Sequence, residues 1–478
     1  MLPEEIPKIS NKSVKDLIHF YMHLKHKQHH AIEAPSNKDE PTILIIGAGL
    51  SGLTAAKELT THGLNVILVE ARERVGGRIH SVKLPNGAYI ELGAQFVHGI
   101  KNNPLYSMSE KYHLEVKPYV RSDWGIFDME GNEINKNDLN ALVSEYKDVI
   151  KSLNLTRRSD NKDRFTVEDL KELDLKLLKH KAIESGDLHS LAKMITIKEL
   201  NEEKLFYYKL GLNKKESESN YVVVNGYNKL VEGLHQEAKA TGRLQTFLSS
   251  EVEKINHAHE EIVVHIKGGE VIHADAAICT LPLGVLQSGS VIFEPLLSES
   301  KIKAINTLKN VVHNKVVLEF EEVFWDNYSH FVVLYDPTLE AWLDIINLQY
   351  FSELKTPVLV TSVYAGPDKK IAKDKYAINH FVNLLKRMYP DTFRPLRKSW
   401  ITHWEDDPFA MGSYSYHPEG STLDDNSAIA KPVGRLVFAG EHTNRSPSNL
   451  QAAYLSGFES AAQVVEQLLH IYQAVARK

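Results

Sequence analysis

Apolar positions fall into short runs divided by polar segments, and their spacing changes along the chain. Residues 1–40 are polar overall, but Val14, Leu17, Ile18, Tyr21 and Leu24 recur at helical spacing, which predicts one amphipathic helix from Val14 to Gln28. His19, His23, His26 and His30 would line one stripe of it. With no carboxylate or cysteine co-ligand nearby, that stripe reads as a solvated face, not a metal site. The character changes at Thr42. TILII is a β-rich run, GAGLSG follows, and SGLTAAKELTTHG reads as a helix closed by Gly63. NVILVE is then a second buried strand. Such a βαβ unit implies a parallel sheet covered by helices.

Residues 101–221 read as mostly helical and polar, interrupted by RRSDNKDR and NKKESESN. VVVNGYNKLVEGL returns to strand, turn and helix. The runs EVEKI, EIVVHI, AAICTL, KVVLEF, FVVLY, WLDII and PVLVTSVYAG are strand-like, RLVFAG is a further buried strand, and Leu450 to Ala474 is a long helix. The fold class is therefore mixed α/β. A discontinuous Rossmann-like domain is expected over 41–100, 222–290 and 400–478. A mixed-sheet and helical substrate domain would be inserted twice, over 101–221 and 291–399, and 1–40 would form a helical extension.

Composition narrows the class without changing this plan. The 478 residues are 43% hydrophobic and 25% charged, as in globular proteins. A net charge of -6 gives no electrostatic footprint for nucleic acid. The single cysteine, Cys279, excludes an internal disulfide and points to a reducing compartment. The start MLPEEIPKIS lacks the pattern of a secretory signal, and no apolar tail follows the last helix. The longest uncharged run, Ala276 to Phe293, contains Pro282, Gly284, Gln287 and Gly289, so it reads as a buried strand and a turn. A soluble, cytoplasmic protein without a membrane anchor is expected; the oligomeric state is left open.

A bare GxGxxG is weak, but here Gly47, Gly49 and Gly52 follow a strand and open a helix, and Glu70 ends the next strand. In that context Gly47 permits the tight turn, Gly49 lets a pyrophosphate approach the backbone, and Gly52 allows close helix–strand packing. Leu50 and Ser51 start the helix, whose N-terminal N–H groups would face the phosphates. Glu70 would accept from ribose hydroxyls and would repel a 2′-phosphate, which disfavours NADP. These glycines alone also suit an NAD-dependent dehydrogenase. The following segment, ARERVGGRIHS, supplies Ala71, Arg72 and then Gly76-Gly77-Arg78, placing more bare backbone and a guanidinium beside the same phosphates.

From these residues onward the sequence resembles the flavin-containing amine oxidase family, from about Thr42 to about Leu469, and within it the polyamine oxidase and flavin-type lysine demethylase branch. The demethylases' long coiled-coil insertion and N-terminal helical domain are not seen. ELGAQFVHG resembles the stretch where a Gly-Ala backbone (Gly93, Ala94, then Gln95) lies along the flavin, and VVVNGYNKL resembles the glycine turn before the second part of the FAD domain. Val252 resembles the residue that meets the adenine through its backbone. Lys315 stands at the position of the family's active-site lysine. Trp404 and Tyr414, in WEDDPFAMGSYSY, would line the flavin. FAGEHT resembles the C-terminal FAD fingerprint, with Gly440 and with Glu441 on the ribityl chain. Asn449 or Ser448 would cap a helix whose positive end, around Leu450, Gln451 and Ala453, faces the charge of the reduced flavin.

The resemblance implies FAD as cofactor, a small-molecule amine and O2 as reactants, and loss of a hydride from the carbon next to nitrogen. The resulting imine is hydrolysed to aldehyde and amine, and oxygen leaves as hydrogen peroxide. The amine must bind neutral, because its cation has no lone pair to expel the hydride; an apolar aromatic wall favours that form. Lys315 would hold a water against the flavin. Departures from the family narrow the substrate. Ser413 replaces the cysteine that bonds flavin in monoamine oxidases, so FAD is expected to be non-covalent. Asn449 stands where the second tyrosine of their amine sandwich would be. Phe96 lies where L-amino-acid oxidases carry a carboxylate-binding arginine. His98, in FVHG, resembles the polyamine oxidase branch and would hydrogen-bond an extended amine. A polyamine or secondary amine is therefore the first expectation. A primary monoamine or L-amino acid is the alternative, and a non-catalytic FAD-binding interaction protein is the alternative of another class. Glu110 and Asp123 are candidates for pocket acids.

Overall fold

A computed structural model describes residues 41–100, 103–119, 124–128, 130–134, 220–258, 261–336, 341–365, 374–418, 420–445 and 449–476. The amphipathic helix and histidine stripe expected in 1–40, most of the helical 101–221 segment, and Asp123 and Ser448 lie outside these residues.

The first βαβ unit forms as its pattern requires: β1 (Thr42–Ile46), α1 (Leu50–Thr61) and β2 (Asn65–Val69). Helix α2 (Asn228–Ala240), β3 (Leu244–Phe247), β4 (Ala276–Cys279), β5 (Leu436–Phe438) and α3 (Leu450–Ala476) complete this layer. The five strands make one parallel sheet in the order β5-β4-β1-β2-β3. Three segments distant in sequence thus share one sheet. Both of its faces are buried, which is why TILII is an unbroken apolar run. Ile43 and Ile45 face a core with Leu53, Leu230 and Val464 of α1, α2 and α3. Leu44 and Ile46 face the opposite core, with Val264, Ile305 and Phe438.

That second core moves one expected boundary. Ile292–Glu294 pairs in parallel with Lys254–Asn256 in a four-stranded sheet, and Ala304, Ile305 and Leu308 pack with the nucleotide layer. Residues 291–308 therefore sit with the nucleotide half and not with the inserted half, because the strand at 292 finds its partner there. Conversely Leu396–Ile401 and Tyr414–Tyr416 pair with the strand Lys309–Phe320, so the first residues beyond 400 still belong to the large sheet. The uncharged run from Ala276 becomes β4, the helix Leu283–Ser288 and the strand Ile292–Glu294. Among the described residues no helix is long and apolar enough to cross a membrane.

The second half centres on a sheet built around Lys309–Phe320. Val316, Leu318 and Phe320 point into one core, whereas Val317 packs against Ile90, Val222, Ile346 and Val360. The latter face looks toward the hairpin Ser81–Lys83/Tyr89–Glu91 and the small sheet of Phe96–His98, Asn220–Val223 and Val116–Tyr119. Alternation places Lys315 on the same face as Val317.

Helices α1 and α3 meet through Gly457, where an added Cβ would lie 2.2 Å from the Ser51 carbonyl oxygen. The backbone oxygen cannot move away cheaply, so Gly457→Ala is expected to destabilise the protein by about 1–3 kcal/mol, read as a lower urea midpoint with an unchanged slope.

Candidate active site

Two groups of candidate residues can be built from the residues upward. In the first, Gly47 adopts φ +102° at the end of β1, and a Cβ there would collide with the Thr280 hydroxyl at 2.5 Å. Gly52 is held so close that its Cβ would lie 2.0 Å from the Gly47 carbonyl oxygen. Gly49 is different: a Cβ would meet nothing within 4 Å, so bare backbone borders open space. Gly49 also N-caps α1 without a side-chain hydrogen bond, and the first turn carries no acid, leaving the positive helix end for an anion. Gly76 donates its N–H to the Ala48 carbonyl (2.8 Å), and a Gly77 Cβ would press on the Gly49 Cα at 3.3 Å. The second glycine pair therefore folds onto the first.

Glu70 is buried and accepts from the Ala48 N–H (2.7 Å) and the Arg72 N–H (2.9 Å). Its carbonyl takes the Ser250 N–H, which brings the chain toward Val252, the buried first residue of the next strand. Ala71 is half-buried beside it. Arg72 makes a two-pronged pair with Asp407 (2.9 and 2.7 Å). Asp407 went unnoticed in the sequence because nothing in EDDP singles it out from its acidic neighbours. Arg74 donates to the carbonyls of Val75, Gly77 and Ile79, which fixes the glycine turn.

Arg78, expected beside the phosphates, donates through Nη1 to the buried Glu441 (3.0 Å) and to the Ser413 carbonyl (2.9 Å). A buried carboxylate demands such a cation. Burial works to raise the Glu441 pKa, but Arg78, His442 and the Ser415 hydroxyl outweigh it and hold the carboxyl below its ordinary value. Glu441, expected on the ribityl chain, is thus already engaged by Arg78 and Ser415, and its oxygens keep lone pairs for a further donor. Gly440 adopts φ +135° and donates to the Ser456 hydroxyl of α3 (3.0 Å).

In the second group Lys315 is buried, and its Nζ donates to the Glu91 carbonyl and to Gln95 Oε1, both at 2.8 Å. Burial drives its pKa down to about 8, against the opposing pull of Glu91. The Glu91 carboxyl is itself raised by burial, against donors from Ser81 and Tyr227. Gly93 cannot carry a side chain, since a Cβ would sit 1.9 Å from the Arg78 carbonyl oxygen; Ala94 donates to that same oxygen. Trp404 is buried, with its indole N–H on the Leu92 carbonyl (3.2 Å) and its backbone N–H on Asn314 (2.9 Å). Tyr414 stands edge-on to His313, with ring centres 6.1 Å apart. The Ser413 hydroxyl clasps the His313 backbone in both directions (2.9 Å each). His98 is half-buried, with Nδ1 at 3.1 Å from Asn220. Glu110 is exposed on the helix Pro104–Lys111.

Asn449 takes the cap position of α3, accepting from the Ala452 N–H (3.0 Å); its side chain is thereby committed to the helix. Leu450 and Ala453 follow in the first turn, and the Ala453 carbonyl takes the Ser51 hydroxyl (2.8 Å). The two helix starts, α1 and α3, are joined at this point.

A sequence profile described as flavin containing amine oxidoreductase matches residues 50–465. The chain belongs to that family. Polyamine oxidase 2 of Arabidopsis thaliana is 29% identical over 466 residues, covering 90% of this chain and 89% of that protein. Polyamine oxidase 4 of Oryza sativa subsp. japonica is 28% identical over 446 residues, with coverage of 90% and 89%. Lysine-specific histone demethylase 1 homolog 2 of the same rice is 29% identical over 456 residues, covering 89% of this chain but 57% of that protein. As a member of the family, this chain is a flavin-dependent amine oxidoreductase with FAD as its cofactor. The residues present suit that group: an uncapped helix start, a glycine with open space where a pyrophosphate would lie, and a carboxylate at the end of β2.

That fit separates two glycines. Gly49→Ala is expected to leave the stability of the FAD-free protein within about 0.5 kcal/mol of the unmutated chain, while FAD affinity falls at least about tenfold, ~1.4 kcal/mol. Fluorescence titration of the stripped protein with FAD, beside a urea melt, measures both.

Proposed function

We propose that the protein oxidises a polyamine or a related secondary amine, with FAD held non-covalently and O2 reduced to hydrogen peroxide. The observation that carries this reading is the desolvated Lys315 amine held by the Glu91 carbonyl and the Gln95 side chain, on the sheet face that looks toward the nucleotide half. The relatives named polyamine oxidase, similar over nine-tenths of this chain, support the substrate class. The commitments of Ser413 to the His313 backbone and of Asn449 to a helix cap support a site unlike that of the monoamine branch. Cys279 is buried and free, which suits the reducing, cytoplasmic setting proposed here.

Gly47, Gly49, Gly52, Gly76, Gly77 and Glu70 would hold the dinucleotide end, and Gly93, Ala94, Trp404, Tyr414 and Glu441 the flavin end. Bound there, FAD supplies the acceptor for the hydride and passes the electrons to O2. The chain's residues prepare the substrate. Trp404 and Tyr414 give an apolar wall against which an ammonium loses hydration, so the neutral, reactive amine is favoured. A neutral Lys315 has two N–H donors, and both are spent on the Glu91 carbonyl and Gln95. Its lone pair is left to accept from a water and orient it. The same lone pair can take the proton when that water adds to the imine.

An anaerobic screen of amines and amino acids tests the reading: a polyamine should bleach the flavin, and peroxide should form in air. Bleaching by L-amino acids alone would overturn it. Lys315→Met should slow reduction or reoxidation at least tenfold, ~1.4 kcal/mol of barrier. Because Lys315 is neutral only above its lowered pKa, kcat should rise as pH passes about 8. The Met variant should lack that limb of the profile; equal profiles would remove Lys315 from its role.

A further inference from the structure

The sheet face that carries Lys315 is apolar around Val317, although Glu319 and His330 share it. Val317, Val360 and Ile346 line it and pack against the nucleotide half, and Val332 is buried on the same face. One row across this face is polar. Lys315 is paired with Ser362. The register that pairs Ile345 with Thr361 and Ile346 with Val360 brings Asp344 opposite Ser362 in turn. Asp344 is also paired with Val332 on its other side. Antiparallel partners share a face, so Lys315, Ser362 and Asp344 stand in line across three strands, with roughly 10 Å between the outer two backbones.

A carboxylate on a buried sheet face is expensive unless something compensates it. The Tyr119 hydroxyl reaches both Asp344 oxygens, at 3.0 and 3.1 Å. Tyr119 in turn stacks on His330 at 4.6 Å and meets Phe96 edge-on at 5.3 Å, and Trp124 also stacks on His330 at 5.7 Å. Phe96 directly follows Gln95, the side chain that holds Lys315. A connected path therefore runs from the reactive lysine through an aromatic patch to a half-buried carboxylate. Carboxylate and aromatic faces together are what a desolvated organic cation needs.

We infer that Asp344, with Tyr119, forms a subsite for a second, protonated nitrogen of the substrate, and so selects di- and polyamines over monoamines. This rests on the amine-oxidation reading above and deepens it. The two nitrogens have opposite requirements. The reacting one must be neutral beside Lys315, whereas the distal one stays charged and is held by Asp344. A nitrogen three or four methylenes from the reacting carbon lies roughly 5–6 Å away, within the span of the row.

The test uses the full-length FAD-loaded enzyme with spermidine and N-methylbutylamine, a secondary monoamine. Asp344→Asn keeps the shape and an acceptor for Tyr119 but removes the charge. It should raise KM for spermidine at least tenfold with kcat within twofold, and leave KM for N-methylbutylamine unchanged. Tyr119→Phe, which keeps the carboxylate, should change the spermidine KM less than threefold. Calorimetry supplies a readout independent of turnover. 1,4-Bis(trimethylammonio)butane, whose nitrogens have no lone pair and cannot react, should bind Asp344→Asn at least tenfold more weakly, and tetramethylammonium should bind both proteins equally. Parallel losses for spermidine and the monoamine, or an unchanged affinity for the bis-cation, would overturn the subsite. An unmutated enzyme that oxidises no amine would instead overturn the underlying reading, and the bis-cation measurement would still decide the role of Asp344.

Discussion

The structure turns on a buried amine. Lys315 lies on a strand of the large sheet, yet both acceptors of its Nζ, the Glu91 carbonyl and Gln95 Oε1, come from the nucleotide half. The contact that positions Nζ also joins the two halves. Burying an amine without a carboxylate partner at its head disfavours the ammonium. A lysine fully charged at neutral pH would offer donors only, whereas a lowered pKa makes the lone pair available near physiological pH.

The other supports are ion pairs between segments remote in sequence. Arg78 reaches Glu441, and Arg72 reaches Asp407. Each joins the segment after β2 to the C-terminal third of the chain. Pairs of this kind contribute modestly to net stability because desolvation offsets attraction. Their geometric value is greater. The planar guanidinium fixes orientation, so the loops that each pair joins are held in register. Removing either acid would leave a guanidinium partly buried without its partner, so the two ends of the chain are committed together.

Much of this was legible before any coordinates. TILII and NVILVE announced central parallel strands because a strand buried on both faces has no room for polar alternation, and Gly47, Gly49 and Gly52 stood in the setting that gives them meaning. What escaped was pairing. Nothing in ARERVGGR says that Arg78 turns toward residue 441, since a guanidinium reads the same whether it faces a phosphate or a carboxylate. The boundary at 290 was misplaced because Ile292–Glu294 is short, and its partner strand lies 38 residues earlier. The signal at Asp344 was present but unused. An acid in the middle of WLDII breaks an apolar strand, and such a break needs a partner somewhere in the fold.

Two neutral side chains, Ser413 and Asn449, are each committed to the backbone. The Ser413 hydroxyl accepts from the His313 N–H and donates to the His313 carbonyl, closing the seam between the lysine strand and Tyr414–Tyr416. Asn449 caps α3 through the Ala452 N–H, satisfying one donor of the first turn without adding charge. An aspartate there would cap equally well, but it would cancel the positive end of the helix. A neutral cap leaves that end electropositive, and the Ser51 hydroxyl on the Ala453 carbonyl fixes it beside the start of α1. The two helices thus bring like-signed ends together. Two like-signed helix ends side by side repel one another, and an anion bound near either would relieve that repulsion.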